Sequence, residues 1–158
     1  MIKHVLVAAV LSLVAVPAVA QVPSIEGTYR LVSRTLPDGR VQRPPEVAGL
    51  MTLTKTHRNM NVMVKDGGKH FSLSQVSTYK LTDREFTETL LFQMVNNEIG
   101  GKGITYDTNG RTQSSPVKIE GRRVEFKFPF EVPSVSFDGD RATARTPNGL
   151  VAIWEKVQ

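Results

Sequence analysis

A chain of 158 residues with a net charge of +5 and no cysteine has the length of one domain, and with no disulfides it depends on a packed core to fold. Its 20 basic and 15 acidic residues are scattered; the longest basic cluster is Arg122-Arg123 and no aromatic stacking motif accompanies it, which argues against nucleic acid and for an ordinary solvated surface. Cysteine nucleophiles, a Gly-x-Ser-x-Gly elbow and a P-loop are absent as well, since Gly100-Gly101-Lys102-Gly103 has the wrong spacing and reads as a flexible loop.

Residues 1–20 have the parts of a cleavable signal peptide. Lys3 and His4 are a short basic start, an apolar run extends from Val5 to Val16, Pro17 breaks it, and Ala18-Val19-Ala20 supplies small residues for cleavage before Gln21. The apolar run is far shorter than the ~20 residues of a membrane-crossing helix. No cysteine follows it to carry a lipid, and no twin arginine precedes it. Cleavage leaves residues 21–158, which keep every acidic residue and lose only Lys3 among the basic ones. The expectation is a periplasmic or secreted domain with no transmembrane segment.

From Gln21 on, short alternating segments are punctuated by turn residues, the pattern of antiparallel sheet. The first strand runs from Gly27 to Leu36, with Tyr29 and Leu31 on one face and Arg30 and Arg34 on the other. Pro37-Asp38-Gly39 ends it, and a loop carrying Pro44-Pro45 follows. Leu50–Thr56 is the next strand, His57-Arg58-Asn59 a turn, and Met60–Lys65 the strand after it. Asp66-Gly67-Gly68 then starts a hairpin. Two longer strands come next, with Phe71, Leu73, Gln75, Tyr79 and Leu81 on one face of the first and Phe86, Glu88, Leu90 and Phe92 on one face of the second. Residues 96–113 read as irregular, apart from a short strand at Ile104–Tyr106.

The last third alternates most clearly. Pro116–Ile119 and Arg123–Phe128 flank a turn at Glu120-Gly121, with Val124, Phe126 and Phe128 apolar and Glu125 and Lys127 wet. Asp138-Gly139 turns into Arg141–Thr146, and Asn148-Gly149 into Leu150–Val157. No helical periodicity, repeat or second domain is visible. The expected fold is all-β: a single antiparallel up-and-down β-barrel of eight or nine strands, preferred to a two-sheet sandwich because closure removes exposed edges.

Three stretches carry a family resemblance. Gly27-Thr28-Tyr29-Arg30-Leu31-Val32-Ser33 resembles the opening strand of the lipocalin-like (calycin) proteins, with Tyr29 where the family usually has Trp. Ser77–Thr82 with Phe86–Thr89 is similar to the middle of small bacterial members, and Ile153-Trp154-Glu155-Lys156-Val157 to their last strand. The resemblance implies a lipocalin-like barrel over residues 21–158, open at one end, with a small hydrophobic molecule inside. It also implies Tyr29 at the closed end, with Trp154 or Lys156 close by; Trp154 as a plain core aromatic is the other reading.

Read by parity, the candidate ligand-binding residues are Phe71, Leu73, Gln75, Tyr79, Phe86, Glu88, Leu90, Phe92, Phe126 and Phe128. Glu88 stands out, because an inward carboxylate on an apolar face needs a partner or a guest. It either contacts a ligand, acts as an acid–base group, pairs with an interior arginine, or escapes to solvent through a bulge. His57 and His70 lack zinc-site spacing, and neither a metal nor a cofactor is expected. A small-molecule carrier is the leading function. A cyclase, isomerase or hydrolase using the same interior, and a partner-binding envelope protein, are the alternatives.

Overall fold

The computed structural model describes residues 22–157 and, among them, contains thirteen strands and no helix. The predicted leader lies outside the described residues. In chain order the strands are β1 (Gly27–Thr35), β2 (Val41–Gln42), β3 (Val47–Leu53), β4 (His57–Asp66), β5 (Lys69–Leu81), β6 (Glu85–Asn97), β7 (Ile104–Asp107), β8 (Thr112–Pro116), β9 (Lys118–Glu120), β10 (Arg123–Lys127), β11 (Ser134–Asp138), β12 (Arg141–Arg145) and β13 (Val151–Lys156). They form one antiparallel sheet in the order β7-β6-β5-β4-β3-β1-β13-β12-β11-β10-β9, with β2 on β1 and β8 on β6. Most chain neighbours are also sheet neighbours, and β13 returns to pair with β1. The sheet curls into a half-barrel, and Ser115 Oγ of β8 donates to the Lys127 carbonyl of β10 at 2.6 Å across its seam.

Thirteen strands replace the expected eight or nine. The segment read as irregular supplies part of the excess: β6 runs on to Asn97, and β7, where the short strand at Ile104–Tyr106 is expected, and β8 both lie along its outer edge. Their sequences, Ile-Thr-Tyr-Asp and Thr-Gln-Ser-Ser-Pro, carry no buried apolar alternation, so edge pairing rather than core burial makes them strands. The very short β2 and the separate β11 complete the difference, while β9 is the strand expected at Pro116–Ile119, displaced by one or two residues. The turn expected at His57-Arg58-Asn59 lies three residues earlier. Thr54 Oγ1 accepts the His57 amide at 3.0 Å and closes that turn, so β4 starts at His57.

Two register shifts decide what faces the concave side. In β1 the pairing with β13 slips between Leu31 and Ser33, leaving Val32 unmatched. A one-residue insertion inverts every later side chain. Arg34 therefore pairs with Ala152 and faces inward, instead of sharing the outer face with Arg30. In β6, Val76 of β5 pairs with Phe92 but Ser77 with Leu90, leaving Leu91 unmatched. Phe86, Glu88 and Leu90 are buried below this bulge, whereas Gln93 and Val95 take the concave face above it. Phe92, expected inside, turns with Val76 to the convex side.

One end of the half-barrel is packed with aromatics. Phe86 stacks on Tyr79 and Phe126 at 5.3 and 4.3 Å, Phe126 lies 5.8 Å from Phe137, and Phe137 meets Tyr29 edge-on at 5.5 Å. Burial, with Asp140 nearby, pushes the Tyr29 phenol up to about 12, and its hydroxyl donates to the Ile25 carbonyl at 3.1 Å. Lys156, not Trp154, is the basic-end neighbour that caps this group: its Nζ lies 5.9 Å from the Tyr29 ring. The Lys156 stem fills the space beside Gly27, where a Cβ would fall 2.2 Å from Cε. Trp154 pairs with Leu31 farther along, its ring so close to Gly49 that a Cβ there would come within 2.9 Å.

Val124, Phe126 and Phe128 are all buried and Lys127 is exposed. Phe126→Ala should therefore cost on the order of 3–5 kcal/mol in urea unfolding, as for other buried aromatics. A loss below about 1 kcal/mol, the surface range, would contradict this register.

Candidate functional site

Arg58 is the largest side chain with no solvent exposure, a full guanidinium inside a 17.5 kDa protein. Its position follows from β4 beginning at His57, which puts Arg58 in line with the inward-facing Met60. A buried guanidinium demands hydrogen-bonded counter-charges, and two carboxylates provide them. Nη1 donates to Glu88 Oε1 at 2.6 Å, while Nη2 donates to Glu131 Oε1. The Phe128 ring lies under the guanidinium, 3.7 Å from its carbon.

Local structure sets each partner. β6 carries Glu88, which is fully buried, and Oε1 accepts two more bonds, from Gln75 Nε2 at 3.1 Å and Ser77 Oγ at 2.5 Å. Gln75 Oε1 in turn accepts from Gln93 Nε2 at 2.9 Å. Glu131 comes from the connection between β10 and β11, where its amide donates to the Phe128 carbonyl at 3.1 Å. That turn places Phe128 against the guanidinium face and Glu131 at its edge. Arg58 Nε and Glu88 Oε2 are buried without a protein partner.

Charge is unevenly matched in this layer, with two carboxylates for one guanidinium. Burial alone would depress Arg58, but Glu131 and Glu88 outweigh it and hold its pKa above the usual arginine value. At Glu131 burial wins over the attraction of Arg58, and the second carboxylate, Glu88, adds to the rise.

Beyond this layer, away from the aromatic end, lies a hollow of about 380 Å³. Its walls are Leu31, Met51, Met60, Val62, Val64, Val95, Val135, Ala144, Ala152 and Trp154, with Phe71, Leu73, Phe128 and Phe130 among them. Arg34, Gln93 and Glu131 are its main polar contributors. Eight of the ten sequence-derived candidates thus divide three ways. Phe71, Leu73 and Phe128 line the hollow; Gln75 and Glu88 belong to the ionic layer; Tyr79, Phe86 and Phe126 pack the closed aromatic end. Leu90 is fully buried outside the hollow's lining, and Phe92 faces the convex side.

Arg34, Arg58, Gln93 and Glu131 were not among those candidates. Extending the Met60–Val62–Val64 parity back by two residues reaches Arg58, and apolar Phe128-Pro129-Phe130 in a turn is a sign that it folds inward. No sequence signal marks the two bulges that turn Arg34 and Gln93 inward. His57 stands exposed at the start of β4, and His70 lies 3.5 Å from Glu98 on the surface. Among the described residues no group of three or more histidines, cysteines or carboxylates converges as a metal site would require. Compared with models of known families, with curated proteins and with solved structures, the chain matches none.

The raised Glu131 pKa has a signed consequence. Above the ordinary carboxylate value of 4.5 the folded state holds a proton that the unfolded chain releases, so stability falls as pH rises through the interval between the two values. Glu131→Gln should remove that fall. Urea midpoints measured from pH 4.5 upward should show the variant gaining on the parent with increasing pH; a difference that stays constant across the range would contradict the assignment.

Proposed function

We propose that this chain is an exported, lipocalin-like β-barrel protein, periplasmic or secreted, that binds a small hydrophobic molecule. The carrying observation is the hollow of about 380 Å³, within the size range of small-molecule pockets and walled almost wholly by apolar and aromatic side chains. Filled cores leave few voids larger than a water molecule, so a space of this size in a domain this small calls for an occupant. Beneath it, the hydrogen-bonded layer of Arg58, Gln75, Ser77 and Glu88 holds Met60, Phe128 and Glu131, which line that end of the hollow. Hydrophobic residues that line it from β4, β5 and β13 belong to long, well-paired strands, which favours a largely pre-formed site. The leader expected at residues 1–20 supports the extracytoplasmic location.

An acid–base role for Glu88 draws less support. Oε1 is already engaged by three donors, and Glu88 does not line the hollow. Carriage explains the same residues without a reacting atom.

Trp154 is the chain's single tryptophan and forms part of the wall, so occupancy is readable directly. Titration with the apolar dye N-phenyl-1-naphthylamine should saturate at one per chain and quench Trp154 emission. Ala144→Phe, which sets a ring into the hollow, should weaken that binding about ten-fold or more, or roughly 1.4 kcal/mol, with an unchanged circular dichroism spectrum. Failure to saturate, or equal affinity in the folded variant, would overturn the proposal.

A further inference from the structure

The two ends of the hollow differ in how their arginine is matched. Beneath its floor, Glu131 and Glu88 share the single guanidinium of Arg58, so that cation is already engaged by two carboxyl groups. Toward the other end of the sheet, Arg34 lines the hollow from β1. It faces inward only because the Val32 bulge inverts the strand, pairing it with Ala152 on one side and Gln42 on the other. Gln42 is 7% exposed, and its Oε1 is buried without a hydrogen-bond partner.

Arg34 is half-buried, yet its side chain makes no hydrogen bond or ion pair with any described residue. The described contacts pair Arg58, Arg40, Arg111, Arg122 and Arg123 with carboxylates, and Arg34 is not among them. Asp66 acts on it only through space, partly offsetting the effect of burial, which lowers its pKa. A guanidinium withdrawn from water keeps five donors to satisfy, and removing it from water without a counter-charge is costly. The neighbouring wall residues Val64, Phe71, Leu150 and Ala152 are apolar, and the acceptor of Gln42, the strand neighbour of Arg34, makes no hydrogen bond to it.

We infer that the ligand is an anionic amphiphile, its headgroup held by Arg34 and its apolar portion directed down the hollow toward Met60 and Phe128. This rests on the proposed binding function and names the ligand class for the same site. Orientation follows from the electrostatics. An anionic head at the floor would lie against the Glu131 carboxyl group and an Arg58 already held by two acceptors, whereas at Arg34 it completes an unmatched cation. Carboxylate and phosphate heads both fit a guanidinium fork, so a free fatty acid and a single-chain phospholipid share the required chemistry.

Displacement of N-phenyl-1-naphthylamine at pH 7.5 by matched twelve-carbon competitors tests it. Dodecanoate should displace the dye at a concentration at least about ten-fold lower than 1-dodecanol does, the range of a charge-assisted hydrogen bond. Arg34→Gln should abolish that preference, so that dodecanoate and dodecanol displace the dye at similar concentrations, and Arg34→Lys should retain part of it. Lysophosphatidylglycerol run beside dodecanoate identifies the source: the tighter competitor is the headgroup the site takes. Equal displacement by dodecanoate and dodecanol, or a preference that survives Arg34→Gln, would overturn this inference while leaving the binding function standing. If the dye itself fails to bind, the binding function falls and the inference with it.

Discussion

Everything inside this half-barrel is arranged around a guanidinium that has no access to water. Arg58 could not be buried without compensation, and the compensation comes from two separate parts of the chain: Glu88 on β6, and the β10–β11 connection, which supplies both Glu131 and the Phe128 ring beneath. Those contacts span sequence separations of 30 and 73 residues, so the charge layer ties the middle of the meander to its final third. Replacing such groups by apolar ones is often tolerated, whereas removing a single partner strands a buried charge. This layer fixes where the core stops and the hollow begins.

The layer also sorts the interior into two materials. On one side, Tyr29, Tyr79, Phe86, Phe126 and Phe137 stack in contact and leave no comparable space. On the other, Val, Leu, Met and Trp side chains line a hollow. A polar floor suits this division, because its hydrogen bonds have definite geometry and resist collapse better than interchangeable apolar contacts would. Glu131 links floor to wall, since the same turn that delivers its carboxylate presents Phe130 to the hollow.

Much of this was legible in the sequence, for a physical reason. Alternation with a period of two survives in long paired strands, so the all-β class, the inward Phe71–Leu73–Gln75 face and the burial of Glu88 could be read directly. An interior arginine partner for Glu88 was one of the readings open at that stage, and Arg58 fills it. What could not be read were interruptions of the period. A bulge inserts one residue without a compositional mark, and the two bulges moved Arg34 and Gln93 in and Phe92 out. The polar edge strand β8 carries no such signal, because its order comes from the β6 edge it covers; the short β7 beside it was legible at Ile104–Tyr106. His57-Arg58-Asn59 looked like a turn because its residues are polar, and Arg58 is polar for the opposite reason: it is the buried ion.

One charge layer thus separates a close-packed end of the interior from a hollow one. Xenon enters dry apolar cavities and avoids close-packed interiors, so diffraction from crystals of the protein under xenon pressure tests this directly. Xenon is expected between Leu73, Val95 and Trp154, above Arg58 and Glu131, and none among Phe86, Phe126 and Phe137. Xenon among those rings, or no xenon in a hollow found filled by its own side chains, would contradict it.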